Sequence, residues 1–350
     1  MLRSLLVLAV LAGTPFSVMA QEEKRPAKPE PSLKVGDPAP KLSVTKWMKG
    51  DAVTGFEPGK VYVVEFWATW CGPCIASMPH ISELQEEYRS KGLTIIGVTS
   101  KDPNNSEQQV TDFVKNRGGI MQYTVAWCED RTTDAAFMKA AGQNGIPCSF
   151  VIDQAGKVVL IGHPLILDEV LPKVFAGTWN AATDAEATAK KLNEVFQGLG
   201  QASRDPEKGL EFFANMEKET PRLATQFADM KMGLLLRANK GEEAEAIFKE
   251  IFTKSVKKQD ANKLTAISRT WSNPSMNSEK RNMELAVQAA EEAHKIAGEK
   301  DLGSLLAAAQ AHDAHGNKEK ASAYADKAIE VAPDNVKDRI RQMVEKYKKQ

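Results

Sequence analysis

Residues 61–74 read VYVVEFWATWCGPC, an apolar run that leads into two closely spaced cysteines. The run from Val61 to Ala68 is almost continuously apolar, which is typical of a strand covered by helices on both faces. The pattern after it predicts a helix from Pro73 to Ser90. Unpaired N–H groups and the helix dipole favour a thiolate at a helix N-terminus, so Cys71 is predicted to be reactive. Cys74, one turn further in, is placed to attack a mixed disulfide formed by Cys71.

The same two thiols also fit a zinc site, because cysteines three residues apart can bind zinc. A structural zinc needs two further ligands, and Cys128 and Cys148 do not form a second Cys-x-x-Cys pair. Four cysteines in 350 residues are also too few for a disulfide scaffold. We therefore predict a redox-active Cys71–Cys74 disulfide, with no metal and no dissociable cofactor.

Outward from this stretch, strand and helix patterns alternate over residues 33–180. They predict an α/β sandwich with a mixed sheet, in which Asp153 to Gly156 form the turn of a hairpin. Further strands are predicted at Leu93 to Thr99, Tyr123 to Cys128, Ser149 to Ile152 and Lys157 to Ile161, and further helices at Ser106 to Arg117, Thr133 to Ala141 and Asp168 to Phe175.

Residues 181–350 have helical periodicity throughout and contain no cysteine, which predicts a second, all-helical domain. Leu302 to Asn335 has the length of a tetratricopeptide repeat, with small residues at Ala309, Ala321 and Ala328. The unit lacks the aromatic residues of that repeat. Both a repeat array and a generic helical bundle therefore remain open for this domain.

The N-terminus has the pattern of a secretory leader. Arg3 precedes a short apolar run, and Val18-Met19-Ala20 fits a cleavage site, so residues 1–20 are predicted to be a signal peptide. The alternative is an uncleaved leader that acts as a membrane anchor. Residues 21–32 are rich in proline and charge and are predicted to be a disordered tether. The protein is therefore expected to be exported, to the periplasm or another extracytoplasmic space.

The amino-acid composition and net charge restrict the classes of partner that we expect. The chain is 42% hydrophobic and 26% charged, which is typical of a soluble globular protein. Lys and Arg number 46, as do Asp and Glu, so no overall field attracts nucleic acid, which is excluded as an expected partner.

The stretch from Glu65 to Cys74, with Pro79 and the later Gly145-Ile146-Pro147, resembles the thioredoxin superfamily. The leader, the opening from Val35 to Pro40 and the extra strand and helix before Gly142 are similar to its exported TlpA/ResA-type, redoxin-like branch. The resemblance covers residues 33–180 and implies a thioredoxin-like sandwich. It does not extend to the helical domain.

The resemblance implies roles for single residues. Cys71 is then the attacking thiol, Cys74 the resolving thiol and Pro147 the cis-proline that packs against the disulfide. Glu65 stands where the family has a buried acid, and its apolar neighbours predict burial, a raised pKa and a role as proton acceptor for Cys74. One departure is Ser77, where many relatives of this type have a glutamate, so any role of that glutamate is absent here or has moved to Glu65.

Other residues are candidates for substrate contact. Trp70 adjoins the nucleophile, whereas Trp67 is expected in the core. Cys128 and Cys148 are extra thiols for which ordinary packing or a second disulfide are both open. The predicted substrate-binding residues are Trp70, Gly72, Pro73, Ile146 and His163, which follows the last strand.

These features predict an exported protein thiol-disulfide oxidoreductase. Gly72 and Pro73 between the cysteines resemble the reducing members, so a disulfide reductase is expected, acting on protein disulfides and supplied by an upstream membrane thiol donor. The helical domain is expected to bind partners. One alternative is a redoxin-type thiol peroxidase, although its Pro-x-x-x-Thr-x-x-Cys signature is missing, since Val64 and Ala68 precede Cys71 at those positions. Another is a partner-binding adaptor with a vestigial redox domain.

Overall fold

The computed structural model describes residues 30–276 and 281–347. The predicted signal peptide and most of the predicted tether lie outside the described residues. Among those described, no helix combines the length and the apolar character needed to cross a membrane.

A six-stranded mixed sheet with the order β1-β4-β3-β2-β5-β6 forms the N-terminal part. The central strand β2 pairs parallel with β3 and antiparallel with β5. Its six residues are all buried, as the apolar run predicts. The strands are β1 (Lys46–Lys49), β2 (Val61–Phe66), β3 (Leu93–Ser100), β4 (Thr124–Cys128), β5 (Cys148–Ile152) and β6 (Val158–Gly162). The predicted mixed sheet is therefore confirmed, and β1 is an addition to it.

Helices cover both faces of the sheet. On one face, residues of α1, α2 and α4 pack with Cys71, Cys74 and Trp67 into one core, so the expectation for Trp67 is confirmed. On the other face, Phe137 and Met138 pack with Cys128 and Cys148. The helices are α1 (Gly72–Tyr88), α2 (Glu107–Arg117), α3 (Thr132–Asp134), which continues as a π-helical turn (Ala135–Lys139), and α4 (Leu167–Phe175).

The C-terminal part is all-helical, as predicted. Successive helices pack in pairs, and Ala309, Ala321 and Ala328 are fully buried where α12 and α13 meet. A tetratricopeptide repeat array stays a prediction for these helix pairs, with a generic helical bundle as its alternative. The helices are α5 (Ala181–Ala202), α6 (Pro206–Glu219), α7 (Pro221–Gln226), α8 (Ala228–Arg237), α9 (Gly241–Lys258), α10 (Ala261–Trp271), α11 (Met283–Ala297), α12 (Leu302–Ala314), α13 (Lys318–Val331) and α14 (Asp334–Val344).

The two parts share a packed boundary. α5 packs against β6, and its Leu192 belongs to the same core as Cys71 and Cys74. The Trp179 indole N–H, just before α5, donates to the Val159 carbonyl at 2.9 Å. The predicted division at residue 180 stays a prediction, and the first helix after it contributes to the core of the sheet domain.

Candidate active site

The cysteine motif lies at one edge of the sheet, where several chain segments meet. Phe66, the last residue of β2, pairs with Val98 of β3 and with Cys148, the first residue of β5. The loop after β2 and Pro147 before β5 are therefore neighbours at this edge, although 76 positions separate Cys71 from Pro147.

Cys71 and Cys74 form a disulfide at the start of α1. Cys71 is the N-cap residue, and its Sγ accepts a hydrogen bond from the Cys74 backbone N–H at 3.2 Å. Both cysteines are buried, while Gly72 and Pro73 between them are exposed. An N-terminal helical N–H that already points at Sγ will favour a thiolate on Cys71 once the disulfide is reduced.

Pro147 follows a cis peptide bond, as expected from the resemblance. Ile146, before it, is half-buried and packs against both cores of the sheet domain. Within the described residues, its backbone N–H and C=O make no hydrogen bond. These two groups are available to pair with an extended segment laid across the edge.

Glu65 carries a carboxyl group into the interior beneath α1. It is 2% exposed, and burial raises its pKa to about 8. Its side chain points to the same face of the sheet as those of Val63 and Trp67, which belong to the core that contains Cys74. The predicted burial and raised pKa of Glu65 are confirmed. Its role as proton acceptor stays a prediction.

Ser149 holds the Glu65 carboxyl group in place, and Gly97 lies on the other neighbouring strand. Ser149 lies opposite Glu65 on β5, is fully buried, and donates its hydroxyl to Glu65 Oε2. Gly97 lies opposite Glu65 on β3, and a Cβ there would lie 2.9 Å from the Tyr123 ring and 3.2 Å from Trp67 Nε1. Within the described residues, Glu65 Oε1 has no hydrogen-bond partner. One carboxyl oxygen is thus fixed and the other remains available for a proton.

Asn105 anchors the loop before the cysteines. Its Oδ1 accepts from the backbone N–H and the hydroxyl of Thr69, at 3.1 and 2.8 Å. Its Nδ2 donates to Thr99 Oγ1 and to the Ser100 carbonyl, at 2.9 and 2.8 Å. Because Asn105 is 1% exposed, this network ties the Thr69 loop to the end of β3.

The candidate substrate-binding residues divide between exposed and half-buried positions. Trp70 is 55% exposed, and its Nε1 donates to Asp102 Oδ2 at 3.0 Å. His163 follows β6, and its Nδ1 accepts from the Leu165 N–H at 3.2 Å. Burial lowers the pKa of His163 to about 4, so the ring is neutral at pH 7.

The extra thiols are buried and are not paired with each other. Burial raises the pKa of Cys148 to about 12 and also raises the pKa of Cys128. Cys128 Sγ lies 3.1 Å from the Ser43 carbonyl. The structure therefore contains no second disulfide among the described residues, and both thiols stay protonated at pH 7.

Ser77 stands three residues after Cys74, at the position where the family resemblance leads us to expect a glutamate. It is buried, and its hydroxyl donates to the Cys74 carbonyl at 2.8 Å, within the first turns of α1. It supplies no charge near the disulfide, and Glu65 is the buried acid beneath α1.

Sequence reasoning missed Asn105 and Ser149. A signal for Ser149 existed, since it is a hydroxyl within an otherwise apolar strand. Asn105 lies in the polar stretch from Asp102 to Asn105 directly after β3, at the same edge as the cysteines. Its long-range contact to Thr69 depends on strand order, which no local pattern contains.

The mixed sheet, a disulfide at the start of the helix after β2, and a cis-proline beside it define a thioredoxin-fold protein. The redoxin family model matches residues 34–163. The ResA thiol-disulfide oxidoreductase of Bacillus thuringiensis subsp. konkukian (strain 97-27) is 32% identical over 131 residues, which are 37% of this chain and 70% of that protein.

Protein FixW of Rhizobium leguminosarum is 29% identical over 155 residues, which are 43% of this chain and 70% of that protein. The crystal structure of a thioredoxin-family thiol:disulfide interchange protein from Chlorobium tepidum TLS is 28% identical. It has a TM-score of 0.34 and matches 40% of this chain and 97% of that one. The sequence relatives establish the family. This chain belongs to the ResA-type thiol-disulfide oxidoreductases of the redoxin family.

Proposed function

We propose that this oxidoreductase is an exported disulfide reductase that acts on protein substrates through Cys71. The observation that carries the proposal is the place of Cys71 at the N-cap of α1, with its Sγ already accepting the Cys74 N–H. The same interaction stabilises a thiolate after reduction. Gly72 and Pro73, the exposed residues between the cysteines, resemble those of reducing relatives and favour this direction.

In this mechanism the Cys71 thiolate attacks one sulfur of a substrate disulfide. A bond forms between that sulfur and Cys71 Sγ, and the other substrate sulfur leaves as a thiolate. Cys74 then passes its proton to Glu65 and attacks Cys71 Sγ, which releases the second substrate thiol. Two electrons have moved from the cysteine pair to the substrate, and the disulfide of this structure is the product state.

The proposed reductase is exported and receives its electrons from a membrane protein. The leader pattern in residues 1–20 supports export, and an upstream membrane thiol donor would return two electrons to the cysteine pair. In an oxidising compartment, a reductase needs such a supply for every turnover. The helical part is proposed to bind partners.

Reduction of insulin disulfides by the full-length protein tests the reaction and its nucleophile. Cys71→Ser should abolish turnover, because Cys71 is the thiol placed at the helix N-terminus. Cys148→Ser is the matched control, since Cys148 is buried with a pKa of about 12, and it should keep wild-type turnover. A Cys71→Ser protein that retains a substantial part of the activity would contradict the assignment.

Two further measurements distinguish the proposed reductase from a thiol peroxidase and from an oxidase. Peroxide consumption, assayed beside insulin reduction, should stay at the level of the Cys71→Ser protein. The reduction potential of the cysteine pair should lie closer to the roughly −270 mV of thioredoxin than to the roughly −120 mV of DsbA. A strongly oxidising potential would reverse the proposed direction.

A further inference from the structure

The active-site edge of the sheet extends beyond the Cys71 loop and Pro147. β6 also ends there, because Gly162 at its end pairs with Ser149 near the start of β5. His163 is the next residue, so it lies on the far side of Pro147 from the cysteines. The part of this edge from β3 to β6 is therefore lined by four segments, in the order of β3, β2, β5 and β6.

A residue of the helical part reaches this edge. Phe196 of α5 contacts the His163 ring edge to face, with ring centroids 5.4 Å apart. Leu165, two residues after His163, packs among the side chains of α5 and α6 as well as in the core of the sheet domain. The turn after β6 thus fixes α5, and with it Phe196, beside the active site.

Phe196 is exposed although its side chain is large and apolar. Across residues 30–276 and 281–347, four large hydrophobic side chains are exposed, namely Trp70, Phe196, Met230 and Met343. Two of the four are at the active-site edge. Trp70 lies towards β3, where it donates to Asp102, and Phe196 lies towards β6. Exposed apolar groups beside a reacting disulfide are suited to binding apolar side chains.

The spacing along the edge fits an extended polypeptide. β3 and β6 are three strand spacings apart, about 14 Å, which an extended segment covers in about four residues. The free backbone groups of Ile146 lie between the two aromatic residues. A segment that pairs with Ile146 and offers its cysteine to Cys71 would reach Phe196 about three residues away. His163 is neutral at pH 7, so its ring adds no charge beside Phe196.

We propose that Phe196, supported by His163, binds a large apolar side chain of the substrate, about three residues from the cysteine that Cys71 attacks. The inference rests on the proposed function and deepens it, because the helical part then contributes to substrate selection at the active site itself. The partner is an extended segment of a disulfide-bonded protein with an apolar residue near its cysteine.

Two synthetic peptide disulfides test this inference, identical except for leucine or serine three residues to either side of the cysteine. Reduction of each by the reduced full-length protein is followed by stopped-flow tryptophan fluorescence, with bis(2-hydroxyethyl) disulfide as the small substrate. The wild-type protein should reduce the leucine peptide about tenfold faster than the serine peptide, the size expected for burying part of a phenyl ring.

Phe196→Ala should remove this preference by slowing the leucine peptide alone, and Phe196→Leu should keep most of it. Reduction of bis(2-hydroxyethyl) disulfide should not change in either variant, which also shows that the active site is intact. Met343→Ala removes another exposed apolar side chain and should change nothing. A preference that survives in Phe196→Ala, or is absent from the wild-type protein, overturns the inference alone. A wild-type protein that reduces none of the three disulfides overturns the proposed reductase as well.

Discussion

Glu65 is a titratable residue placed in the interior of the sheet, beneath the helix that carries the disulfide. Its pKa of about 8 results mainly from burial, and the hydrogen bond from Ser149 opposes that rise. A carboxyl group with this pKa changes protonation close to neutral pH, where a proton acceptor for Cys74 is useful. The unpartnered Oε1 is the atom that can take the proton.

Glu65→Gln should slow resolution of the mixed disulfide by roughly 100-fold at pH 7, because the proton acceptor for Cys74 is lost. In the wild-type protein, the rate should rise as Glu65 ionises around its pKa of about 8, and level off only above about pH 9. In the variant it should keep rising as Cys74 itself ionises. Single-turnover decay of the mixed disulfide measures both profiles, with the exposed Glu57→Gln as control. Identical profiles in Glu65→Gln and wild type would reject the role.

Stability gives a second readout for the same variant, independent of catalysis. The pKa of Glu65 rises from 4.5 to about 8 on folding, so between these values the folded protein holds a proton that the unfolded chain has released. The free energy of unfolding should therefore fall with pH across this window, by at most about 1.4 kcal/mol per pH unit. Glu65→Gln lacks this loss and should be the more stable protein at pH 8, measured by urea unfolding of the oxidised form.

The sequence indicated Glu65 because a charged residue inside an apolar run stands out. It could not indicate which atoms surround the carboxyl group. Ser149 and Gly97 lie opposite Glu65 only because β5 and β3 flank β2 in one particular register. Register is a property of the assembled sheet, so the partners of a buried group follow from tertiary structure.

At the level of elements, α1 connects the disulfide to the helical part. Glu87 of α1 accepts two hydrogen bonds from the Arg222 guanidinium of α7, with Nη1 at 3.1 Å from Oε1. Arg222 Nε also lies 2.9 Å from Oδ1 of Asp168 in α4. Asp168 is 7% exposed and accepts a further hydrogen bond from Gln226. His80 Nε2, again on α1, lies 2.8 Å from Asp168 Oδ2.

Arg222→Met should lower the free energy of unfolding by about 1–3 kcal/mol, because a buried carboxylate loses its guanidinium partner. The methionine keeps the apolar stem of the side chain, so the change isolates the charge. Urea unfolding at pH 7 measures the effect. Arg341→Met is the control, since its pair with Asp338 is exposed and should contribute less than about 1 kcal/mol. Equal losses in the two variants would show that Arg222 makes no special contribution.

Periodicity predicted the long elements of the sheet domain and missed β1. β1 has four residues, its first residue is exposed, and its pairing to β4 is irregular between Trp47 and Lys49. Such a strand is stabilised by its neighbour rather than by its own pattern. The predicted helix from Thr133 to Ala141 is in fact α3 followed by a π-helical turn, and hydrophobic spacing over so few residues does not separate the two.

At the scale of the whole molecule, the sheet domain and the helical part are joined by packing as well as by charge. Trp179, Ala181, Ala185 and Leu192 pack against the core that holds the cysteines. Further along the same face of α5, Val195 and Leu199 pack with α6 and α7. α5 is therefore a shared layer between the two parts. Composition changes near residue 180, but packing continues across that position.

A chain that ends at Thr178 should consequently be less stable than one that ends at Ala202, by about 2–4 kcal/mol. The shorter chain lacks Leu192, whose burial contributes about 1.5–3 kcal/mol, and the Trp179 hydrogen bond, which contributes about 1 kcal/mol. Urea unfolding of the two chains, monitored by far-UV circular dichroism, measures the difference. Equal midpoints and slopes would show that the sheet domain is complete at residue 178.

The same boundary can be tested in the full-length protein, where Leu192 and the rest of α5 stay in place. Trp179→Phe keeps an aromatic ring but loses the donor to the Val159 carbonyl. It should lower the free energy of unfolding by about 1 kcal/mol. Trp70→Phe is the matched control, because its indole N–H bonds to Asp102 at an exposed site where water can replace it, and it should cost less. If Trp179→Phe costs no more than Trp70→Phe, the Trp179 hydrogen bond does not join the two parts, and the apolar contacts of α5 alone must do so.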